Sequence, residues 1–231
     1  MRKLIFLCRR RADISHEQYA KLLVEGHIPI ALKHHPALTK YIVNVVDRAQ
    51  IPGSPELDSI GELSFATLAD YRERLYDSAE GQRIVGKDVA GFMGGADSYE
   101  CTEHVQKDRR VERPLPRRSA GVKTIAAVKR RAGLTHEQFV EHWLTRHVPL
   151  ALRHHVGLTK YVTNVVDARL SPEGEEYDGF GELCFASEAD YRDKLYGSEE
   201  GRRIIEEDIP RFLGPMQAWF VTEHVAKLPG A

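Results

Sequence analysis

The sequence predicts an α+β protein: two ferredoxin-like β-α-β-β-α-β repeats packed sheet to sheet as a pseudo-dimeric α/β barrel. Three observations predict it. First, shifting the chain by 120 positions superimposes it on itself without a gap, so that His16-Glu17-Gln18 falls on His136-Glu137-Gln138 and Leu38-Thr39-Lys40-Tyr41 on Leu158-Thr159-Lys160-Tyr161. A period this long is a duplicated domain rather than a solenoid unit. Second, each copy runs through strand-like and helix-like patterns in the same order. Third, a four-stranded sheet with both helices on one face leaves its other face bare, and the second copy is at hand to cover it. The predicted organisation is repeat 1 over 1–105, a Pro/Arg-rich linker over 106–121 and repeat 2 over 122–231.

The first strand is expected near Lys3 to Arg9 and near Lys123 to Lys129. Helices follow from Ser15 and Thr135, hydroxyl residues suited to the N-cap, with Glu17 and Glu137 in the first turn. Pro29 and Pro149 should bend those helices, because proline lacks the amide donor and clashes with the preceding turn. Thr39 to Asp47 and Thr159 to Asp167 are rich in β-branched and aromatic residues and read as second strands. In the third strand, Ile60 to Ala66, Leu63 and Phe65 point one way and Glu62 and Ser64 the other. A helical region from Ala69 to Phe92, broken at Gly81, and a last strand from Ser98 to Val105 complete the copy. The segment QKDRRVERPLPRRSAG between the copies reads as a solvated connector.

A formal net charge of -1 offers no chain-wide attraction for nucleic acid or anionic lipid. The apolar run after Met1 stops at Arg9, too short for a signal peptide core or a membrane span. Three scattered cysteines, Cys8, Cys101 and Cys184, support neither a disulfide framework nor a zinc ribbon, so a cytoplasmic protein is expected.

His27 and His147 are the leading candidates for chemistry, since imidazole titrates near neutrality and each precedes a helix-bending proline by two residues. Glu62 and Glu182 come next. Desolvated on a strand, their pKa would rise and suit general acid or base work; a salt bridge to Lys40, Lys160 or a first-strand lysine is the alternative. Asn44 and Asn164 are expected to face the barrel lumen as carbonyl-polarising donors, with Tyr41 and Tyr161, on the opposite strand face, bordering a cleft. Trp143, Phe139 and Trp219 would line the second-half cleft for an apolar, flat ligand. The doublets His34-His35 and His154-His155 lack a spacing that completes a metal set, and no metal is expected; His154, His155 and the strand-end His224 are candidates for the cleft rim. No nucleotide motif is present, and no cofactor is expected.

The run EHWLTRHVPLALRHHVGLTKYVTNVVD, with Trp143, His147-x-Pro149 and Asn164, followed by YDGFGELCF, resembles the EthD family of the dimeric α/β-barrel superfamily. The resemblance spans nearly the whole chain, one unit per half. The first half departs from it, with Leu23 at the Trp143 position and DSIGELSF for DGFGELCF. Such a resemblance implies a cofactor-independent lyase, of dehydratase or decarboxylase type, or an isomerase, acting on a small apolar carbonyl-bearing or aromatic metabolite. A cofactor-free monooxygenase and a noncatalytic protein holding haem or a hydrophobic ligand are the other implied readings. The chain is expected to take a small hydrophobic substrate, to bind neither nucleic acid nor membrane, and to be capable of forming a homodimer.

Overall fold

The computed structural model describes residues 2–109 and 114–230; residues 110–113 of the expected linker lie outside the described residues. The first copy contains β1 (Arg2–Arg10), α1 (His16–Lys21), a π-helical turn (Leu22–His27), α2 (Ile28–His34), β2 (Leu38–Ala49), β3 (Ser59–Phe65), α3 (Leu68–Arg74), α4 (Ala79–Ala90) and β4 (Met93–Lys107). A two-residue strand β5 (Arg117–Arg118) precedes the second copy: β6 (Val122–Arg130), α5 (His136–His142), a π-helical turn (Trp143–His147), α6 (Val148–His154), β7 (Leu158–Arg169), β8 (Gly179–Phe185), α7 (Glu188–Lys194), α8 (Glu199–Phe212) and β9 (Leu213–Lys227).

Local sequence accounts for the helix starts. Ser15 Oγ accepts from the Gln18 amide while Gln18 Oε1 accepts from the Ser15 amide, and Thr135 and Gln138 repeat this capping box. The prolines do not bend the helices away. Instead the turn before each widens, so that the Ile28 amide reaches Leu23 O and the Val148 amide reaches Trp143 O, and the proline starts the next α-helix where no donor is required. The break between α3 and α4 falls at Ser78 rather than Gly81: Ser78 Oγ accepts the Gly81 amide at 3.0 Å and caps α4.

The strands form one sheet in the order β2-β3-β1-β4-β7-β8-β6-β9, closed by β2 pairing with β9. Every ladder is antiparallel, so the result is a closed eight-stranded barrel with the helices outside it. This corrects the expectation of two sheets meeting face to face. The copies join by hydrogen-bonded edges, β4 to β7 and β9 to β2, because closure removes the unpaired strand edges that two stacked sheets would leave in water. Among the described residues no helix is long and apolar enough to cross a membrane.

The segment expected as a spacer is partly structural. β4 extends through Lys107, and β5 pairs with β9. Arg109 Nη2 and Ser119 Oγ both donate to Glu223 Oε1, at 3.0 and 2.5 Å, so the connector completes the coordination of a buried carboxylate.

The barrel interior has two layers. One is apolar, with Ile5, Ile60, Tyr99, Ile125, Phe180 and Trp219 among its members. The other is ionic, where Lys3 and Lys123 each meet three carboxylates: Glu62, Glu103 and Glu182 around Lys3, and Glu62, Glu182 and Glu223 around Lys123, all at 2.7 to 2.9 Å.

Candidate active-site clefts

Each copy holds a cleft between the outer face of its half of the barrel and its helices. The first has a volume of about 270 Å³, with His27, His35, Tyr41, Tyr71 and Tyr76 in its wall; the second, of about 190 Å³, has His147, His155, Tyr161, Tyr191 and Tyr196 at the matching positions. Both are otherwise mainly apolar. The second cleft is completed from the other copy: Gln50 and Ile51 line it, and Gln50 Nε2 donates to Tyr191 Oη at 2.6 Å.

The π-helical turn sets each key histidine against an aspartate on the following long helix. His27 Nδ1 donates to Asp88 Oδ2 at 2.7 Å, and His147 Nδ1 donates to Asp208 Oδ2 at 2.9 Å. A carboxylate can only accept, so the pairing makes Nδ1 the protonated nitrogen and leaves Nε2 as the free acceptor. Burial works against charge on Asp208, but hydrogen bonds from His147 and His142 hold its carboxyl below the usual range. In the second copy His142 Nε2 also donates to Asp208 Oδ1 at 2.9 Å and stacks on Phe212, with ring centroids 4.8 Å apart. The first copy has the exposed Leu22 there, and the Asp88 side chain is 20% exposed against 8% for Asp208.

His35 and His155 are held differently. Their Nδ1 atoms donate to Leu75 O (2.9 Å) and Leu195 O (2.6 Å), and their rings tilt on Tyr76 and Tyr196. Burial pushes both imidazoles down, His155 to about 4, so they enter the cleft walls neutral.

Several predicted site residues lie elsewhere. Glu62 and Glu182 are in the barrel, not in a cleft. Burial and their mutual repulsion would raise the Glu62 pKa, but Lys123, Lys3 and Lys40 outweigh both and lower it; Glu182 is lowered well below the ordinary range, burial being outweighed by Lys123, Lys3 and Lys160. The expected upward shift is therefore reversed, and these carboxylates form the salt bridges that were the alternative. Glu62 Oε2 and Glu182 Oε2 meet their lysines as ion pairs rather than aligned hydrogen bonds. Asn44 and Asn164 do face the lumen, but their Nδ2 atoms are spent on Glu62 and Ile60 O, and on Glu182 and Phe180 O. Because the clefts lie on the opposite face of the sheet, neither Asn can polarise a carbonyl bound there.

Trp219 also sits inside the barrel, its Nε1 donating to Pro55 O at 3.0 Å. Phe139 is fully buried behind Trp143, centroids 5.3 Å apart, and supports the wall without lining it. His154 packs over the start of α8, where a Cβ at Gly201 would meet its Nδ1 at 2.8 Å, and His224 lies on β9 opposite Arg118; neither lines a cleft. Trp143, Tyr161, Tyr41 and His155 do line the clefts. Glu62, Glu103 and Glu182 present oxygens close enough together to suit a cation, but the Lys3 ammonium occupies that position.

Sequence reasoning missed Asp88 and Asp208, although a signal existed: they repeat at the same 120-residue offset as their histidines. It also missed His142 and Gly179, which have no counterpart of the same type in the first copy.

The EthD domain profile matches the chain twice, over residues 11–96 and 131–215. No curated protein matches it in sequence. In structure it is similar to a protein provisionally assigned as a monooxygenase from Fusobacterium nucleatum subsp. nucleatum, with a TM-score of 0.65 at 7% identity, covering 100% of this chain and 95% of that one. An anthrone oxidase-like protein gives 0.62 at 12% identity, covering 100% and 95%. A protein provisionally assigned as a monooxygenase from Lactobacillus acidophilus NCFM gives 0.59 at 10% identity, covering 99% and 96%. At such identities the likeness is one of fold.

Proposed function

From the premise that this chain belongs to the EthD family, with one domain in each half, we propose that its clefts perform cofactor-independent proton transfer on a small apolar substrate that is aromatic or bears a carbonyl. The observation that carries this reading is the His–Asp pair in both clefts, His27–Asp88 at 2.7 Å and His147–Asp208 at 2.9 Å, each set in a mainly apolar wall. The aspartate orients the ring and stabilises the imidazolium formed when Nε2 takes a proton from substrate carbon or hydroxyl. Tyr41 or Tyr161, in the same walls, takes the carbonyl-polarising part that the asparagines cannot reach. Returning the proton to a leaving hydroxyl completes a dehydration; returning it to another carbon completes an isomerisation.

The same abstraction in an apolar cleft would leave an enolate or phenolate able to react with dioxygen, which is how a cofactor-free monooxygenase would use these residues. The mainly apolar lining of both clefts would admit dioxygen as well as an apolar ligand, which is what supports that second reading. The three cysteines are free and buried, as suits a cytoplasmic protein.

The test is turnover on aromatic ketones and hydroxyketones, under argon and in air, for wild type, His27→Ala, His147→Ala and the double variant. The double variant should lose about 10²-fold or more, as expected for losing a general acid or base. Product formed only in air would select the oxygenase reading. Full activity in the double variant would return both histidines to a structural role.

A further inference from the structure

Arg48 and Gln50 reach from the first copy onto α7 and the strand beside it, and among the described residues their contacts have no counterpart over the first cleft. Arg48, opposite Phe220 in the β2–β9 ladder, lays its guanidinium 4.1 Å from the centre of that ring and pairs with Glu188 at the start of α7. Gln50 Nε2 donates to Tyr191 Oη at 2.6 Å, about one turn further along the helix, and the Tyr191 ring meets Phe220 edge to face at 5.1 Å. At the matching positions α3 carries Leu68 and Tyr71, while Arg48, Gln50 and Phe220 become Ala168, Leu170 and Glu100. An alanine and a leucine can make neither the ion pair nor the hydrogen bond. Arg169, one place beyond Ala168, turns onto its own loop at Gly174 and Glu176, and Leu170 packs against the apolar cluster of the first copy.

The helix these contacts hold is otherwise lightly held. α7 has seven residues, none of them buried, and its Tyr191 lines the second cleft. The segment that reaches it is fixed by contrast: the Gln50 and Ile51 amides both donate to Ala218 O, at 2.7 and 3.3 Å, and Ser54 Oγ accepts from the Ala218 amide at 3.0 Å. Elements with few buried contacts open at small cost, so a movable helix meets a fixed segment in the cleft wall. An exposed ion pair and one neutral hydrogen bond bias such a helix toward closure without locking it.

We propose that α7 is a lid on the second cleft and that Arg48 and Gln50 of the first copy are its catch, whereas α3, of the same length and equally without buried residues, closes the first cleft with no catch. The clefts share a His–Asp pair but differ in how often they open. This goes beyond the proton chemistry and does not depend on it.

The experiment is hydrogen exchange of the 15N-labelled full chain, read by NMR at the amides of α3 and α7 and at the two indoles. In wild type the α7 amides should exchange more slowly than those of α3. Arg48→Glu should speed exchange in α7 and at the Trp143 indole, which donates to Tyr161 inside the cleft, by about two- to fivefold, the range of an exposed ion pair. It should leave α3 and the Trp219 indole, which lies inside the barrel, unchanged. Adding Glu188→Arg should restore slow exchange, which a mere loss of packing at position 48 would not. Both side chains are exposed, so folding is not at stake. Raising NaCl from about 0.05 to about 0.5 M should speed α7 in wild type and slow it in Arg48→Glu, because screening weakens an attraction in one and a repulsion in the other. Equal rates for α3 and α7 in wild type, no change in Arg48→Glu, no restoration by Glu188→Arg, or an equal rise at Trp219 would overturn the inference. No substrate is involved, so failure of the proton-transfer reading would show separately, in turnover.

Discussion

The ionic layer of the barrel and the clefts outside it descend from the same duplication, yet the ionic layer has kept its residues while the cleft walls, like the apolar layer of the barrel, have diverged. Inside, the ionic residues match pair for pair: Lys3 with Lys123, Lys40 with Lys160, Asn44 with Asn164, Glu62 with Glu182, Glu103 with Glu223. Four lysines and four glutamates share one closed space, and Glu62 and Glu182 each bridge Lys3 and Lys123 across the two copies. Changing any one leaves an uncompensated buried charge, so the group is held as a unit. A cleft wall is subject only to local constraint. A tryptophan at 143 requires a residue without a side chain across from it, and Gly179 meets that requirement, whereas Leu23 and Ser59 stand at the matching positions of the first copy. Duplicated charge networks resist drift; duplicated apolar walls permit it.

The largest effect that could break this comparison is in the barrel. Lys3→Met and Lys123→Met should each destabilise the fold by about 3–5 kcal/mol, and by similar amounts, since each leaves three carboxylates facing one another. Urea melts would show it, and a near-neutral result for one lysine would mean that the interior is no longer symmetric.

Next comes acid. His155 is lowered from an ordinary 6.5 to about 4, burial being the first cause, so the unfolded chain binds its proton before the folded one does. The stability that His155 contributes while neutral is therefore intact above about 6.5 and is lost as the pH falls toward 4. The loss reaches at most roughly 3 kcal/mol, as two to three pKa units convert. Thermal melts of wild type and His155→Gln between pH 7 and 4.5 should converge on acidification, and parallel curves would refute the linkage.

A smaller effect separates the clefts themselves. Gly179→Ser alone should cost about 1–3 kcal/mol by driving a Cβ into the Trp143 ring, while Ser59→Gly should cost about 1 kcal/mol for the Tyr19 hydrogen bond. Combining Gly179→Ser with Trp143→Leu should recover part of the first loss. The smallest expected effect is at His142. Its replacement by leucine, the residue natural at position 22, should cost about 1 kcal/mol for the bond to Asp208 and leave the His147–Asp208 pair in place. Chemical denaturation measures the first, and the hydrogen-bonded imidazole proton of His147 in NMR reports the second.

The sequence by itself determined the duplication, the order of strands and helices, the capped helix starts at Ser15 and Thr135, and the placement of Tyr41 and Asn44 on opposite faces of one strand. These follow from period, turn chemistry and alternation, which are local and leave marks at fixed spacing. It also singled out His27 and His147, because each lies two residues before a helix-interrupting proline. What it could not determine was which face of the barrel wall each polar residue would serve, or with what partner. Glu62 and Glu182 are equally compatible, as strand carboxylates, with a catalytic cleft and with a lysine cage. Only barrel closure, which brings Lys3 and Lys123 together from opposite halves, decided for the cage and reversed the sign of their pKa shifts. Asp88 and Asp208 come within reach of their histidines 61 residues away only when the long helix packs beside the widened turn. Trp219 looked like cleft material as an aromatic on a strand, and alternation alone put it inside once the barrel closed. Period and capping act through the chain, but charge compensation and cavity shape act through space, and only the tertiary structure specifies which residues share that space.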